Sequence, residues 1–296
     1  MKNARRIIAV LLAAVICVLC FAACGSGKTD TNAVDVKNAK SIADLKGAKI
    51  SAQAGTFHAD ARLQIEDVQG TNYKTFDDLL VALRSGAIDG YISEEPTALY
   101  AIAADDTLSF LPLKNNDTGF TTSETDTSIA VGLKKGSELR DKMNEVIATI
   151  TEEQKTKLME QMVTISSGGT VDSLALSSEA PANPTGVLKV AMECEYKPYN
   201  WTDMGKPSFG AVPISSQGKE GQYANGYDVQ VAQYIANKLG MKLEIYALKW
   251  DSLIPAVQSG TVDAIIAGMS PTEERAKEID FTTPYYESNL VVIIKK

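Results

Sequence analysis

"FDDLLVALRSGAIDGYIS" (residues 76–93) and "WDSLIPAVQSGTVDAIIA" (residues 250–267) match each other in kind from end to end. Each opens with an aromatic residue followed by Asp. Apolar residues then return at helical spacing, Phe76, Leu79, Leu80 and Leu83 in one and Trp250, Leu253, Ile254 and Val257 in the other. A Ser-Gly pair closes each helix, and Gly86 and Gly260 suit the left-handed residue that follows a helix C-terminus. A β-type run comes next, entered through Asp89 or Asp263. The same helix–turn–strand unit in each half predicts two similar α/β lobes.

Around these units, β-type runs alternate with helical patterns, which predicts mostly parallel sheets flanked by helices. Each half also has a strand leading into a polar loop, "AKISAQAGTFHADARL" (48–63) and "LKVAMECEYKPYNW" (188–201). In open α/β sheets ligands bind beyond the carboxyl ends of the strands. The loops at 53–58, 93–96, 193–201 and 267–275 are therefore the candidates for a site. The run "NLVVIIKK" (289–296) reads as a strand that needs two buried faces.

At the other end, Lys2, Arg5 and Arg6 precede an apolar run over 7–23, too short and wrongly flanked for a stable membrane span. Residues 1–23 read as a secretory signal. The "LCFAAC" that ends it resembles a bacterial lipoprotein processing site, which implies lipidation of Cys24 and an anchor on the outer face of a membrane. Phe21 stands where such sites prefer Leu, and a plain signal with an incidental cysteine is the alternative. Residues 24–39 read as a flexible tether, and a second polar stretch at 166–186 as a linker. Of the four cysteines, Cys17 and Cys20 leave with the signal and lipidation takes Cys24, so Cys194 remains with no disulfide partner. Removing residues 1–23 leaves 273 residues, enough for two lobes, and takes the net charge from −8 to −11. So acidic a body argues against a nucleic-acid partner.

In "AGMSPTEER" (267–275), Ser270 and Glu273 make a capping-box pattern with Pro271 at the first helical position. Arg275 then lies near the start of that helix. It is either a solvated side chain paired with Glu278 or a guanidinium clamping an anion, and spacing leaves both open. In "SEEPTALY" (93–100), Glu94 and Glu95 stabilise the start of a helix at Pro96, or one of them faces a cation. Tyr196, Tyr199, Trp201 and Trp250 are core aromatics or the walls of a small-molecule pocket. His58, the one histidine, forms only a notional nucleophile pair with Cys194, since no third orienting residue is evident. Nothing has zinc-ligand spacing, no phosphate loop appears, and no cofactor is indicated.

The segments "LKVAMECEYKPYNW", "GYDVQVAQYIANKLG", "WDSLIPAVQSGTVDAIIAGMSPTEERAKEIDFTTPYYES", "DLKGAKISAQAGTFHADARL" and "IDGYISEEP" together resemble the extracellular solute-binding proteins (family 3 type) of polar amino-acid ABC importers. The resemblance implies a two-lobed periplasmic-binding-protein-like fold (type II) with a two-strand hinge. It also implies a circularly permuted order, because in the family the counterpart of 188–296 precedes that of 44–163. Lobe 2 would then be 40–132, completed by the C-terminal strand at 288–296, and lobe 1 would be 133–287. The chain would cross between lobes near 127–132 and 286–289. The linker, about twenty residues, spans up to roughly 65–70 Å if extended, ample to join neighbouring termini.

Carried over residue by residue, the resemblance implies that Arg275 grips an α-carboxylate beside Ser270 and the backbone of Ala267 and Gly268. Thr56 and the amide of Phe57 complete that cage. Glu94, where relatives commonly have Asp, takes the α-ammonium, and Tyr196 and Trp250 sandwich the ligand side chain. Glu193 lies toward the side-chain end, suited to a cation. The implied protein is no enzyme. It is a monomeric, lipid-anchored extracellular binder of a free polar amino acid, basic ones among the candidates, with an importer permease as partner. The rivals are a dehydratase-like enzyme on the same fold, which lacks a convincing acid/base pair here, and a sensor module, which lacks a signalling segment.

Overall fold

The computed structural model describes residues 34–296, so the expected signal (1–23), the lipidated Cys24 and most of the 24–39 tether lie outside the described residues. Among the described residues no helix is long and apolar enough to cross a membrane.

The sequence repeat is a structural repeat. Helix Phe76–Ser85 buries Phe76, Leu79 and Leu83 and ends on Gly86 at φ 76°, ψ 16°. Helix Leu253–Ser259, entered through a 3-10 turn at Trp250–Ser252, buries Leu253 and Val257 and ends on Gly260 at φ 77°, ψ 15°. The two aspartates then do the same work. Asp89 Oδ2 accepts the Lys49 N–H at 2.8 Å, and Asp263 Oδ2 accepts the Lys189 N–H at 2.8 Å. Each returns its own N–H to the carbonyl of that lysine. The aspartate thereby pins the start of a parallel pairing, Gly90–Glu94 beside Ile50–Ser51 in one half and Ala264–Ile265 beside Val187–Met192 in the other.

The first sheet runs Ile50–Ser51, Gly90–Glu94, Leu290–Lys295, Leu108–Leu111. The run near the C-terminus is thus an inner strand, with Leu290, Val291, Val292, Ile293 and Ile294 all buried. It presses so closely on Gly90 that a Cβ there would lie 2.9 Å from the Ile293 carbonyl oxygen. The second sheet runs Lys242–Ala247, Val187–Met192, Ala264–Ile265, Gly132–Leu133, Asp280–Phe281.

Both sheets are mixed rather than mostly parallel. Leu290–Lys295 is antiparallel to both of its neighbours, and Gly132–Leu133 to both of its own. The cause is the route of the chain. A parallel neighbour needs a crossover within the same layer, whereas these strands follow segments that pair elsewhere. Ser128–Ile129 and Tyr286–Glu287 form a two-stranded antiparallel ladder. The first lies in the chain between Leu108–Leu111 and Gly132–Leu133, the second between Asp280–Phe281 and Leu290–Lys295, so the chain passes between the two sheets twice, side by side.

Two further features depart from expectation. A four-stranded antiparallel sheet, Glu195–Tyr196, Asn200–Met204, Gln222–Asn225 and Val212–Pro213, follows the strand Val187–Met192. The polar stretch at 166–186 is also docked. Leu176 is buried, Asn237 donates to the Ser178 carbonyl and hydroxyl at 3.0 Å, and Gln161 bonds the backbone at Ser173 and Ala175.

Candidate functional site

The loops at the carboxyl ends of the parallel strands converge. From the first sheet come Gln53, Thr56, Phe57 and His58, with Phe76 at the head of its helix. From the second come Trp250, Gly268, Ser270 and Arg275, with Tyr196 from the antiparallel sheet that follows Val187–Met192. Together they enclose about 10 Å³, room for roughly one water. The side chains expected to hold a ligand therefore lie against one another, and a free amino acid enters only if the two sides part.

Arg275 ties the two sides. Its Nη1 donates to the Ser270 carbonyl at 2.9 Å and its Nη2 makes a long contact with the Gly55 carbonyl at 3.4 Å. Its guanidinium lies 5.2 Å from the Trp250 ring centroid, and the Trp250 indole N–H donates to the same Gly55 carbonyl at 3.0 Å. Burial lowers its pKa to about 10, which leaves it cationic at neutral pH. It is not paired with Glu278, whose carboxylate accepts from Gln258. The helix it belongs to, Glu273–Glu278, is capped by Thr272 and not by Ser270. The Ser270 hydroxyl is already committed, donating to the Asp126 carbonyl at 2.8 Å, so the helix begins two residues later than the capping-box pattern predicts.

Gly268 sits at φ +61°, and a Cβ there would lie 3.0 Å from Tyr196 Cε1, so the tyrosine ring rests on the glycine backbone. The expected sandwich of Tyr196 and Trp250 is not formed. Tyr196 stacks on Phe76, 4.0 Å between centroids and 8° between planes, while Trp250 takes the Arg275 cation. The Tyr196 hydroxyl is buried without a partner. Ala267 is buried but does not line the enclosed space.

Glu94 and Glu193 lie just behind this space, and neither is free. Glu94 ends the strand Gly90–Glu94 and is 3 % exposed. Its Oε1 lies 2.9 Å from His58 Nε2, in a geometry that does not align the ring nitrogen for a hydrogen bond, and its Oε2 is buried without a partner. The neighbouring loop thus brings an imidazole against one oxygen of the residue that the resemblance assigns to the α-ammonium.

Glu193 accepts from Gln53 Nε2 at 3.1 and 3.0 Å, and that amide also donates to the Lys74 carbonyl at 3.0 Å. Burial pushes Glu193 up to about 7. The Gln53 bond opposes the rise, and Glu195, Asp251 and Asp77 add to it.

The notional His58–Cys194 nucleophile does not arise. His58 faces Glu94, and burial pushes the Cys194 thiol up to about 12. Gln53 and Phe76 are lining residues that sequence reasoning did not single out for the site, and His58, read there only as a notional nucleophile, lines it too. The loop 53–58 was marked by its place after a strand, but its partners are residues distant in sequence.

A buried cation, a buried acidic oxygen and aromatic rings gather where the two α/β halves meet, an arrangement whose chemistry can hold a zwitterion. Residues 209–296 match the family model of the bacterial extracellular solute-binding proteins, family 3. That segment contains Trp250, Gly268, Ser270 and Arg275. The fold, two mixed α/β sheets joined by a two-strand crossing, is periplasmic-binding-protein-like.

The chain is 32 % identical over 124 residues to the arginine-binding extracellular protein ArtP of Bacillus subtilis (strain 168), a match covering 41 % of this chain and 42 % of that one. It is 34 % identical over 84 residues to the L-cystine-binding protein TcyJ of Escherichia coli (strain K12), covering 28 % and 31 %. Among solved structures, an ancestral arginine-binding protein bound to glutamine is 37 % identical, with 34 % of this chain and 37 % of that chain covered and a TM-score of 0.28. The chain spans about two-fifths of the length of the first of these relatives.

Proposed function

We propose that this protein captures a free polar amino acid by closure of its two halves and delivers it to an ABC importer, held on the outer face of the membrane through lipidated Cys24. The observation that carries the reading is the convergence of Arg275, Gly268, Ser270, Tyr196 and Trp250 from one half with Thr56, Phe57 and Glu94 from the other. Contacts divided between two halves are complete only in the closed form, so a zwitterion shifts the population toward closure. The names of the relatives, which include arginine and cystine binders, support an amino-acid ligand. The acidic surroundings of Glu193 favour a basic side chain, arginine or lysine, with glutamine next.

The test is a thermal-shift screen of the twenty amino acids, since a ligand that binds only the native state raises its melting temperature. A flat screen refutes the reading, and a preference for leucine removes Glu193 as the selector.

We further propose that the chain is circularly permuted, with lobe 2 at 40–132 plus 288–296 and lobe 1 at 133–287. Two observations support it. The strand Leu290–Lys295 is central to the first sheet, and the turn Val36–Asn38 packs against it, so the two ends of the described body meet. A reordered gene that starts near residue 187 and joins residue 296 to residue 36 should give a protein with the same ligand preference. Failure of that protein to bind, with the natural order binding, overturns the permutation.

A further inference from the structure

We propose, resting on the amino-acid-binding reading above, that Asp228 is a positioning residue. Its carboxylate ties the loop 193–201, the Gly268 backbone and Tyr285, at the foot of the crossing strand Tyr286–Glu287, into one unit. It thereby shapes the site without touching the ligand.

Asp228 is the second residue of the helix Tyr227–Lys238, where the positive end of the helix favours a carboxylate. It is completely buried and does not line the enclosed space, and its side-chain partners are neutral donors rather than a cation.

The direction of each bond is fixed by chemistry. The Cys194 N–H can only donate, and it donates to Asn200 Oδ1 at 2.7 Å. The Asn200 amide therefore turns its Nδ2 to Asp228 Oδ2, to which it donates at 2.8 Å. The Tyr285 hydroxyl donates to Asp228 Oδ1 at 2.7 Å, its one acceptor among the described residues. Burial raises the Asp228 carboxyl to about 7, and the bonds from Tyr285, Asn200 and the Gly268 N–H oppose the rise. Burial likewise raises the Tyr285 hydroxyl, and the Gly268 N–H opposes that rise too. Every donor ends on Asp228, so the ionised carboxylate satisfies all of them, and a proton on either oxygen leaves one donor unmatched.

The groups so fixed face the site on one side and the crossing on the other. Asn200 holds the backbone at Cys194, between Glu193 and Tyr196. The start of the helix holds the same loop, the Asp228 N–H donating to the Tyr199 carbonyl at 2.9 Å and the Tyr227 N–H to that of Pro198 at 3.1 Å. Gly268 lines the enclosed space and carries the Tyr196 ring. Tyr285 precedes Tyr286, which pairs with Ile129 in the ladder that joins the two halves.

The test exploits the direction of the bonds. In Asp228→Asn one carboxyl oxygen becomes an NH2 group. Facing Asn200 it meets another donor, and facing Tyr285 it leaves the hydroxyl proton without an acceptor. The double variant Asn200→Asp/Asp228→Asn restores every pairing. The carboxylate at position 200 accepts from the Cys194 N–H and from the amide at position 228, whose oxygen accepts from Tyr285. Calorimetry at about pH 8, above the carboxyl's pKa of about 7, should show Asp228→Asn weakening L-arginine and L-glutamine by at least about tenfold while the variant is folded. The double variant should return to within about threefold of wild type. Hydrogen exchange without added amino acid should quicken in Asp228→Asn at 193–201 and 266–270, beyond any rise in the helix Glu152–Ser166, and recover in the double variant. If Asp228→Asn does not fold, Tyr285→Phe, which removes one donor and leaves the carboxylate, should quicken exchange at 266–270.

Asp228→Asn that melts earlier but binds both amino acids within about threefold of wild type overturns the positioning role, which is then merely structural. A double variant no better than Asp228→Asn overturns the assigned bond directions. If neither amino acid binds the wild type, the binding reading falls. Exchange at 193–201 and 266–270 still decides whether Asp228 holds those loops, and exchange unchanged there overturns it.

Discussion

Glu193 makes the closed cleft pay a stability penalty that depends on pH, and Glu193→Gln should remove it. The carboxyl is raised from 4.5 to about 7, chiefly by burial, with Glu195, Asp251 and Asp77 adding repulsion. A folded pKa above the unfolded one means that the native state binds more protons between those two values. Stability is then greatest below about pH 4.5 and falls as pH rises toward 7. The span corresponds to about 3 kcal/mol, at about 1.4 kcal/mol per tenfold change in proton affinity. Asp228, accepting from Asn200 at 2.8 Å and Tyr285 at 2.7 Å, is likewise raised to about 7 by burial and contributes a fall of the same sign. The Gln variant keeps an acceptor for Gln53 and carries no charge to desolvate, so it should lose only the Glu193 share.

The assay is urea unfolding at about pH 5 and about pH 8. We predict that Glu193→Gln matches the wild type within about 1 kcal/mol at the lower pH and exceeds it by about 2–3 kcal/mol at the higher. Saturating L-arginine should abolish much of that difference by giving the wild-type carboxylate a partner. Parallel stability–pH curves for the two proteins would show that Glu193 is not desolvated in the native state, and the argument would fail.

Three other outcomes are expected. Arg275→Ala should weaken the best amino-acid ligand by about 3 kcal/mol or more, because it deletes a charge-assisted contact in a closed cleft. Calorimetry giving less than about 1 kcal/mol would remove Arg275 as the carboxylate anchor. Gly268→Ala should destabilise by about 1–2 kcal/mol and shift Tyr196, since the new Cβ meets the ring at 3.0 Å from a left-handed backbone. Unchanged unfolding and unchanged near-UV tyrosine dichroism would count against it. Ile293→Ala should cost about 2–4 kcal/mol, because the side chain is fully buried in the middle of the first sheet. Hydrogen exchange should show the loss of protection within residues 40–132, and protection unchanged there would mean that the strand is not integral to that sheet.

Much of the fold is legible in local chemistry. The 76–93 and 250–267 repeat specifies a helix, a left-handed glycine and an aspartate that pins a parallel strand, and each of these is set by near neighbours. The alternation of strand and helix patterns likewise gives the α/β class, and the position of a loop after a strand marks where a ligand site forms. Strand direction is not local. The antiparallel placement of Gly132–Leu133 and Leu290–Lys295 depends on where the chain has come from, which no periodicity records.

The site divides along the same line. Arg275, Tyr196, Trp250 and Glu193 are expected at the site through the family resemblance, because spacing alone leaves the cation and the aromatic residues open to ordinary structural uses. What each of them does in the folded protein was decided by partners far along the chain. Gln53 bonds Glu193 across 140 residues, His58 meets Glu94 from a different element, and Phe76 takes the face of Tyr196 that was expected to be open. Sequence determined which chemical groups are present and which short segments fold. Only tertiary structure decided which buried donor meets which buried acceptor, because burial makes every unpaired polar group costly and the pairing is chosen by whatever the closed core brings within reach.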